Sequence, residues 1–319
     1  MTTIAEARQQ LQEKTPLSQE IAEDRSEILN SGLAANLEMP HPIFIHRGEG
    51  AYVFDADDNA YIDTSVGFGL HMLGHRHPEI EKAIKDRTEL GWMFGIHTTA
   101  QLKLATLLHE ASPCAERVVF CNTGSEATMY AFRAARGFSG KDKIALFDGF
   151  YHGAHDYGMW ITDPGSPRDE PRKLPMGHGI PRAIEDTVML LPYRNASAFD
   201  LIRKHAGELA MVFVEGVQSS NPQPDAGEFL NELRQVCRDC GVLFGIDEVI
   251  TGFRLDYGGA QGYFDVKPDL ATYGKVLGGG LPVGAITGSA EVMEVFTGLA
   301  ARNGVFSGGT FSGNPLTME

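Results

Sequence analysis

The chain has 319 residues, a length that accommodates about two domains or one large α/β unit. Hydrophobic residues make up 43% and charged residues 22%, an ordinary globular composition. The 42 acidic residues outnumber the 27 basic ones, and a formal net charge of −15 repels nucleic-acid phosphates and anionic lipid. No apolar run approaches the roughly 20 residues of a bilayer span, and the N-terminus lacks the apolar segment of a secretory signal. The charge and the lack of a long apolar run argue against nucleic-acid and membrane partners. The chain has only four cysteines and no secretory signal, which favours a reduced, cytoplasmic compartment.

The pattern of apolar residues changes along the chain. Residues 1–30 have the spacing of a polar amphipathic helix, which we expect to pack as an arm on another part of the protein. Residues Gly50–Asp63 alternate around an Asp-Asp-Asn turn, the pattern of a β-hairpin. From about residue 100, short apolar runs are separated by helix-period segments such as Glu126–Phe138 and Gly227–Asp239. Strands buried on both faces have such runs, so the sequence predicts an α/β fold with a mostly parallel central sheet and helices on both faces. The runs are Val118–Cys121, Ile144–Phe147, Met211–Val214, Val242–Ile246 and Val283–Thr287.

Three further stretches bear on the organisation of the chain. Residues Asp163–Arg182 are rich in proline, glycine and charge, which predicts a long surface loop near the site that the sheet builds. Cys237 and Cys240 lie in a helix-period stretch, where two helical neighbours are more common than a redox or metal pair. The final SGNPLTME is typical of the start of a helix, so we expect a further domain to follow and the chain to be incomplete.

In α/β sheets, ligands bind beyond the carboxyl ends of the strands, so the residues that follow each apolar run matter most. Thr123, Gly124 and Ser125 follow the first run and open a helix, and the free N–H groups of such a turn can bind an anion; a plain helix N-cap is the alternative. Tyr151, beside His152, could lie flat against an aromatic ligand, although a core tyrosine is the common case. Paired histidines here and at residues 71–77 lack matching carboxylates, so we predict no metal.

Two carboxylates and one amine complete the set of candidates. Asp247 and Glu248 end a buried run, where a carboxylate needs a partner. An acid at this place could hold a metal or a protonated ring nitrogen, or form an ion pair with Arg254. Lys275 is flanked by uncharged residues and glycines, which favours burial, a lowered pKa and a nucleophilic amine. The glycine-rich loop around Thr310 is a second candidate anion site. Phosphate donors, a stacking ring, an acid and an amine are together what pyridoxal 5'-phosphate requires.

The chain from about residue 40 to its end resembles the class III aminotransferases, a family of fold-type I pyridoxal-phosphate enzymes. The resemblance is carried by NTGSEATMYAFRAARGFSGKDKI, FDGFYHG, FVEG, GVLFGIDEVITGFR, DLATYGKVLGGGLPVGAITG and GGTFSGNPL. The segment DEVITGFR is similar to the glutamate-1-semialdehyde 2,1-aminomutase branch. The resemblance implies an N-terminal arm and part of a small domain at 1–95, a large cofactor-binding domain at 96–319, and a C-terminal small domain that this chain lacks. It also implies a homodimer with shared active sites.

The same resemblance implies roles for individual residues. Lys275 would form a Schiff base with the cofactor and move the substrate proton, and Asp247 would pair with the pyridinium nitrogen. The remaining implied contacts are Val249 and Tyr151 on the two ring faces, Thr123, Gly124 and Ser125 at the phosphate, Thr310 at the phosphate of the neighbouring subunit, and His152 and Glu215 near the cofactor.

Two departures from the family pattern bear on the substrate. The usual Glu-Pro-Val/Ile is Glu215-Gly216-Val217 here, which we expect to loosen that turn. Ser31–Met39 lacks the arginine with which true aminomutases grip the substrate carboxylate. The sequence therefore favours an aminotransferase that moves an amino group between an amino donor and an aldehyde or keto acceptor. A glutamate-1-semialdehyde aminomutase is the alternative, and an inactive cofactor-binding fragment or subunit is an alternative of another class.

Overall fold

In the computed structural model, which describes residues 3–25, 40–297 and 304–319, the polar N-terminal segment forms two helices rather than one. They are α1 (Ile4–Lys14) and α2 (Pro16–Arg25). Helix α1 begins at a capping box, in which Thr3 and Glu6 satisfy each other's backbone N–H groups. The break falls at Pro16, because proline has no N–H to continue α1 but fits the first turn of a new helix. The expected single helix is wrong at this point, and residues 26–30 lie outside the described residues.

The predicted hairpin is confirmed and belongs to a three-stranded antiparallel sheet. Its turn is held by Asp55, a fully buried carboxylate that accepts hydrogen bonds from Asn59 N (2.9 Å) and Tyr61 Oη (2.7 Å). Asp57 in the same turn accepts from Leu17 N at 2.7 Å and caps the start of α2. The N-terminal arm therefore packs on this hairpin. The strands are β1 (Ile45–Glu49), β2 (Tyr52–Asp55) and β3 (Ala60–Ile62).

The chain divides into two units, Met1–Lys82 and Ala83–Glu319. The first also contains the short helix α3 (Val66–Gly69), and α4 (Pro78–Leu90) runs across the division. The assignment of 1–95 to an arm with part of a small domain, and of 96–319 to a cofactor-binding domain, stays a prediction.

A seven-stranded sheet forms the centre of the second unit, in the order β4-β12-β11-β10-β9-β5-β8. All pairs are parallel except those of β12, which runs antiparallel to both of its neighbours. The five predicted runs are all strands in it, and β8 and β11 join them. The strands are β4 (Arg117–Cys121), β5 (Lys143–Phe147), β8 (Val188–Leu191), β9 (Leu209–Glu215), β10 (Leu243–Asp247), β11 (Leu270–Gly274) and β12 (Gly284–Gly288). A separate antiparallel pair, β6 (Trp160–Thr162) and β7 (Lys173–Pro175), lies partly within the predicted loop at 163–182.

Helices cover both faces of this sheet, as predicted. On β9, Val212 belongs to a buried cluster with Phe199 of α7 (Ser197–His205) and Leu230 of α8 (Gly227–Asp239), whereas its neighbour Phe213 packs with Phe132 of α6 (Gly124–Ser139) in a second cluster. Successive strand residues point to opposite faces, so each face receives its own helices. In the described part of this unit, the α-helices after α4 are α5 (Thr99–Ala111), α6 (Gly124–Ser139), α7 (Ser197–His205), α8 (Gly227–Asp239), α9 (Gly259–Tyr263), α10 (Ala290–Met293) and α11 (Pro315–Met318).

Within the described ranges, no helix combines the length and the apolar character that crossing a membrane requires. Cys237 is buried in α8, and Cys240 forms its C-cap; both are free thiols. The interpretation of this pair as helical neighbours is confirmed.

Candidate functional site

Three titratable residues meet where neighbouring strands end. Glu215 ends β9 and Asp247 ends β10, and the two are paired in register. On the other side, Asp247 is paired with Thr272 of β11. Lys275 follows β11 directly, three residues beyond Thr272, which corresponds to roughly 10 Å of chain. The carboxyl edge of the sheet thus carries an amine and two carboxylates on adjacent strands.

Both oxygens of the Asp247 carboxylate have partners. Oδ2 lies 2.8 Å from His152 Nδ1, and Oδ1 accepts from Val249 N at 3.0 Å and from Thr272 Oγ1 at 3.2 Å. Asp247 is 4% exposed and His152 1% exposed, so the pair is shielded from water. Among the described residues, His152 Nε2 is buried without a hydrogen-bond partner. The structure therefore gives Asp247 a histidine partner.

Lys275 combines backbone strain with partial burial. Its φ angle is +46°, in the left-handed region that non-glycine residues rarely adopt, and such strain is maintained only where the surroundings enforce it. Burial lowers the pKa of Lys275, and the carboxylates of Asp247 and Glu215 oppose that shift. A lysine held in this way spends more time as the neutral amine than an exposed one.

Glu215 is a buried carboxylate held by the turn that follows its strand. It accepts hydrogen bonds from Ser219 N (2.8 Å) and Ser219 Oγ (2.9 Å). Burial raises its pKa, and His152 and Ser219 act in the opposite direction. Glu215 is thus held in a fixed position, from which its carboxylate acts to raise the pKa of Lys275.

The residues after β4 form the start of α6. Thr123 is the N-cap, and its Oγ1 accepts from Glu126 N at 3.1 Å, while Ser125 Oγ accepts from Ala154 N at 3.0 Å. Gly124 and Ser125 stand in the first turn, where backbone N–H groups have no partner within the helix. The N-cap is therefore confirmed. The anion site stays a prediction, one that the first N–H groups and the helix dipole leave room for.

A side chain at position 124 would make a close contact. A Cβ there would lie 2.8 Å from Val249 Cγ1, and one at Gly274 would lie 3.4 Å from the same atom. The Val249 side chain therefore lies between the start of α6 and the end of β11, next to Lys275. Tyr151 is 48% exposed, and Thr310 is exposed in the loop at 304–314. The structure thus gathers Lys275, Asp247, Glu215 and Val249 at one edge, and leaves Tyr151 and Thr310 on the surface.

Several polar contacts of the site escaped the sequence analysis. Thr128 Oγ1 donates to His152 O at 2.6 Å and lies 3.1 Å from His155 Nε2, which joins α6 to the loop after β5. Burial lowers the pKa of His155 to about 4. Thr272 is the one partner for which a signal existed, since this residue in the middle of β11 lies three positions before Lys275. In the described part of the chain, no cluster of His, Cys, Asp and Glu side chains could hold a metal ion.

The seven-stranded sheet with an amine and an acid at its carboxyl edge is the architecture of the fold-type I pyridoxal-phosphate enzymes. The family model of class III aminotransferases matches residues 33–319, and the chain belongs to that family. It is 42% identical over 296 residues to a glutamate-1-semialdehyde 2,1-aminomutase of Sulfurisphaera tokodaii, covering 91% of this chain and 68% of the relative. The aminomutase of Methanocaldococcus jannaschii is 40% identical, with 96% and 71% covered.

Solved structures agree with this assignment. An omega-transaminase from Sphaerobacter thermophilus superimposes with a TM-score of 0.86 at 36% identity, covering 94% of this chain and 70% of that one. A beta-phenylalanine aminotransferase from Variovorax paradoxus gives 0.84 at 33% identity, with 98% and 69% covered. A further neighbour, described as a transaminase with PLP bound, gives 0.85 at 29% identity, with 95% and 72% covered. The chain thus spans about 70% of the length of the proteins that it matches.

Proposed function

We propose that this chain is a pyridoxal-phosphate-dependent aminotransferase that moves an amino group between an amino donor and an aldehyde or keto acceptor. The observation that carries the proposal is the placement of Lys275 and Asp247 at the ends of adjacent strands. One is a partly buried amine with a lowered pKa, and the other is a buried carboxylate fixed by His152. These are the two groups that hold opposite ends of the cofactor in this enzyme class.

The residues present fit pyridoxal 5'-phosphate. The first N–H groups of α6, from Gly124 and Ser125, would bind its phosphate, and Val249 would pack on one face of its ring. Asp247 would hold the ring nitrogen, because a carboxylate oxygen accepts more than one hydrogen bond. Tyr151 would cover the other ring face. When bound, the cofactor supplies an electron sink for the carbon that loses its proton.

The chain's own part in the reaction is to hold the cofactor and to move protons. Because burial lowers its pKa, the Lys275 amine is deprotonated more readily than that of an exposed lysine, and it would accept the proton of the amino donor and return it to the acceptor. Asp247 would pair with the ring nitrogen, and the buried His152 would shield that carboxylate from water. Glu215 lies at the same edge of the sheet, and its carboxylate acts to raise the pKa of Lys275.

The proposal includes a homodimer with shared active sites and a cytoplasmic location. A dense group of exposed apolar side chains occupies residues 90–107, and more occur in the loop that carries Thr310. Large exposed apolar patches mark interaction surfaces. A second copy would cover them and bring Thr310 to the neighbouring phosphate. These side chains are Leu90, Trp92, Met93, Phe94, Ile96, Leu102, Leu107, Phe306 and Phe311.

An aminomutase is the second candidate, and the names of the relatives about 40% identical support it. The segment at 31–39, which lacks the substrate-binding arginine of true aminomutases, lies outside the described residues. The two activities differ in their need for a partner substrate. An aminomutase converts glutamate-1-semialdehyde without a separate donor, and an aminotransferase consumes a donor and an acceptor.

Absorbance spectroscopy tests the proposal. The protein loaded with pyridoxal phosphate should show a visible band that Lys275→Ala lacks, and a competent amino donor should bleach it. A panel of donors and acceptors, with glutamate-1-semialdehyde as one arm, then separates aminotransferase from aminomutase. A band that no donor bleaches supports the inactive cofactor-binding alternative, and a wild-type protein with no band contradicts the proposal.

A further inference from the structure

Glu248 is a buried acid that the proposed mechanism does not use. It follows Asp247 in the chain, is 1% exposed, and points away from it, because successive residues at a strand end face opposite sides. Its Oε1 accepts from Gln261 N (3.0 Å) and Gln261 Nε2 (3.3 Å). Its Oε2 accepts from Ala260 N (3.1 Å) and from Thr251 Oγ1. A buried carboxylate is costly, and here every acceptor position is matched by a donor.

The donors connect Glu248 to two other strand ends. Gln261 Nε2 also donates to Tyr273 Oη at 2.9 Å, which reaches β11. Ala260 packs against Gly216, which directly follows β9. A Cβ on Gly216 would lie 2.2 Å from the Ala260 Cβ, so this contact connects Glu248 to the end of β9. We call Gly216, Glu248, Ala260, Gln261 and Tyr273 the Glu248 cluster.

The backbone around the Glu248 cluster leaves little freedom. Gly259 has a φ of +69°, and a Cβ on it would lie 2.7 Å from both carboxylate oxygens of Glu248. The loop before α9 must therefore follow the Glu248 carboxylate closely. Burial raises the pKa of Glu248, while the hydrogen bonds from Thr251, Gln261 and Ala260 oppose that shift. Dense hydrogen bonding of this kind fixes the position of the groups that take part.

Each strand-end member of the Glu248 cluster neighbours a residue of the candidate site. Gly216 follows Glu215, Glu248 follows Asp247, and Tyr273 lies two residues before Lys275. The cluster therefore connects, on the far side of the site, the same three strand ends that carry the amine and the two carboxylates.

We propose that Glu248 is a positioning residue, which through the Glu248 cluster fixes the ends of β9, β10 and β11 and so sets the placement of Lys275 relative to Asp247. This inference rests on the proposed function, because the cofactor reports that placement. A displacement of Lys275 or Asp247 would change the surroundings of the amine and the affinity for the cofactor.

The test compares Glu248→Gln with Asp269→Asn. Either orientation of the new Gln amide places its NH₂ group against two existing donors, so the cluster must rearrange. Asp269 is a matched control, because it is a partly buried carboxylate that also joins β10 to β11. It does so at the opposite ends of these strands, where it accepts a hydrogen bond from Phe244 N at 2.8 Å. For each variant, the dissociation constant of pyridoxal phosphate and the pH midpoint of the visible band are measured by absorbance, and folding of the cofactor-free protein by thermal unfolding.

We expect Glu248→Gln to bind pyridoxal phosphate roughly tenfold more weakly and to shift the pH midpoint by about half a unit or more, while Asp269→Asn retains both values. If Glu248→Gln does not fold, Tyr273→Phe decides, since it removes the hydroxyl that Gln261 binds; its midpoint should then differ from that of Asp269→Asn. A wild-type protein without a visible band overturns the proposed function. A wild-type protein with the band, and Glu248 or Tyr273 variants indistinguishable from Asp269→Asn, overturns the positioning role alone.

Discussion

The imidazole Nδ1 of His152 lies 2.8 Å from the carboxylate Oδ2 of Asp247, and both side chains are buried. The contact joins the loop after β5 to the end of β10, across β9. It gives Asp247 a partner that is neither a metal nor Arg254, both of which the sequence left open. An acid held in this way has a fixed orientation, which the proposed pairing with the ring nitrogen requires.

Replacing His152 should weaken both folding and cofactor binding. His152→Phe keeps the ring volume but leaves Asp247 Oδ2 buried without that donor, which costs about 1–3 kcal/mol of unfolding free energy. His152→Asn can place an amide N–H near the position of Nδ1 and should recover part of the loss. Urea unfolding of the cofactor-free protein measures the first effect, and absorbance titration with pyridoxal phosphate the second. Equal stability of the Phe variant and the wild type would contradict the account.

Gly124→Ala should reduce cofactor binding more than an ordinary glycine substitution does. The new methyl group would lie 2.8 Å from Val249 Cγ1, so Val249 or the first turn of α6 must shift, at about 1–3 kcal/mol. Gly207→Ala is the control, because a Cβ there meets nothing within 4 Å. Thermal unfolding and absorbance titration should show a loss for the first variant and little change for the second. A Gly124→Ala protein that binds as tightly as Gly207→Ala would rule out the close contact.

Gly216 and Ala260 should show strong coupling in a double-mutant cycle. Gly216→Ala brings two methyl carbons to 2.2 Å and should destabilise the protein by about 1–3 kcal/mol. Adding Ala260→Gly restores the space and should recover at least about 1 kcal/mol relative to the sum of the single changes. Chemical denaturation of the four proteins gives the coupling energy. Strictly additive effects would mean that the two residues do not pack together.

His155 should make part of the stability depend on pH. Its pKa falls from an ordinary 6.5 to about 4 on folding, chiefly through burial, so the unfolded chain binds the proton more readily. The folded protein therefore has its full free energy of unfolding above pH 6.5, where His155 is neutral in both states. This free energy falls as the pH drops toward 4, by about 2 kcal/mol between pH 7 and pH 5.

The check on this prediction is urea unfolding at pH 7 and pH 5 for the wild type and His155→Gln. The Gln variant should lose less stability between the two pH values, whatever its stability at pH 7. If both proteins lose the same amount, His155 does not titrate in this way.

Much of the sheet could be predicted because its strands are buried on both faces. Runs such as Met211–Val214 have no polar alternation, and only a strand covered by helices on two sides tolerates that composition. The end of each run then located Asp247 and the segment around Thr123. Strand β11 was harder to find, because LATYG mixes small and polar residues; its register beside β10 is fixed by tertiary pairing.

Apart from Thr272, the partners of the site residues could not be predicted, because they come from distant segments. His152 and Asp247 are 95 positions apart, and no local sequence pattern predicts a hydrogen bond between them. The same holds for Glu248, whose donors other than Thr251 lie 12 and 13 residues later in α9, the helix that begins at Gly259. At Gly216 the sequence suggested only a looser turn, and the tight packing against Ala260 depends on the fold.

The most direct test of the central claim is to locate the covalent bond to the cofactor. The protein loaded with pyridoxal phosphate is reduced with borohydride, digested and analysed by peptide mass spectrometry. We expect the reduced pyridoxyl group on the peptide that contains Lys275, and on no other lysine peptide. A label on a different lysine, or a saturated protein that carries none, would contradict the account.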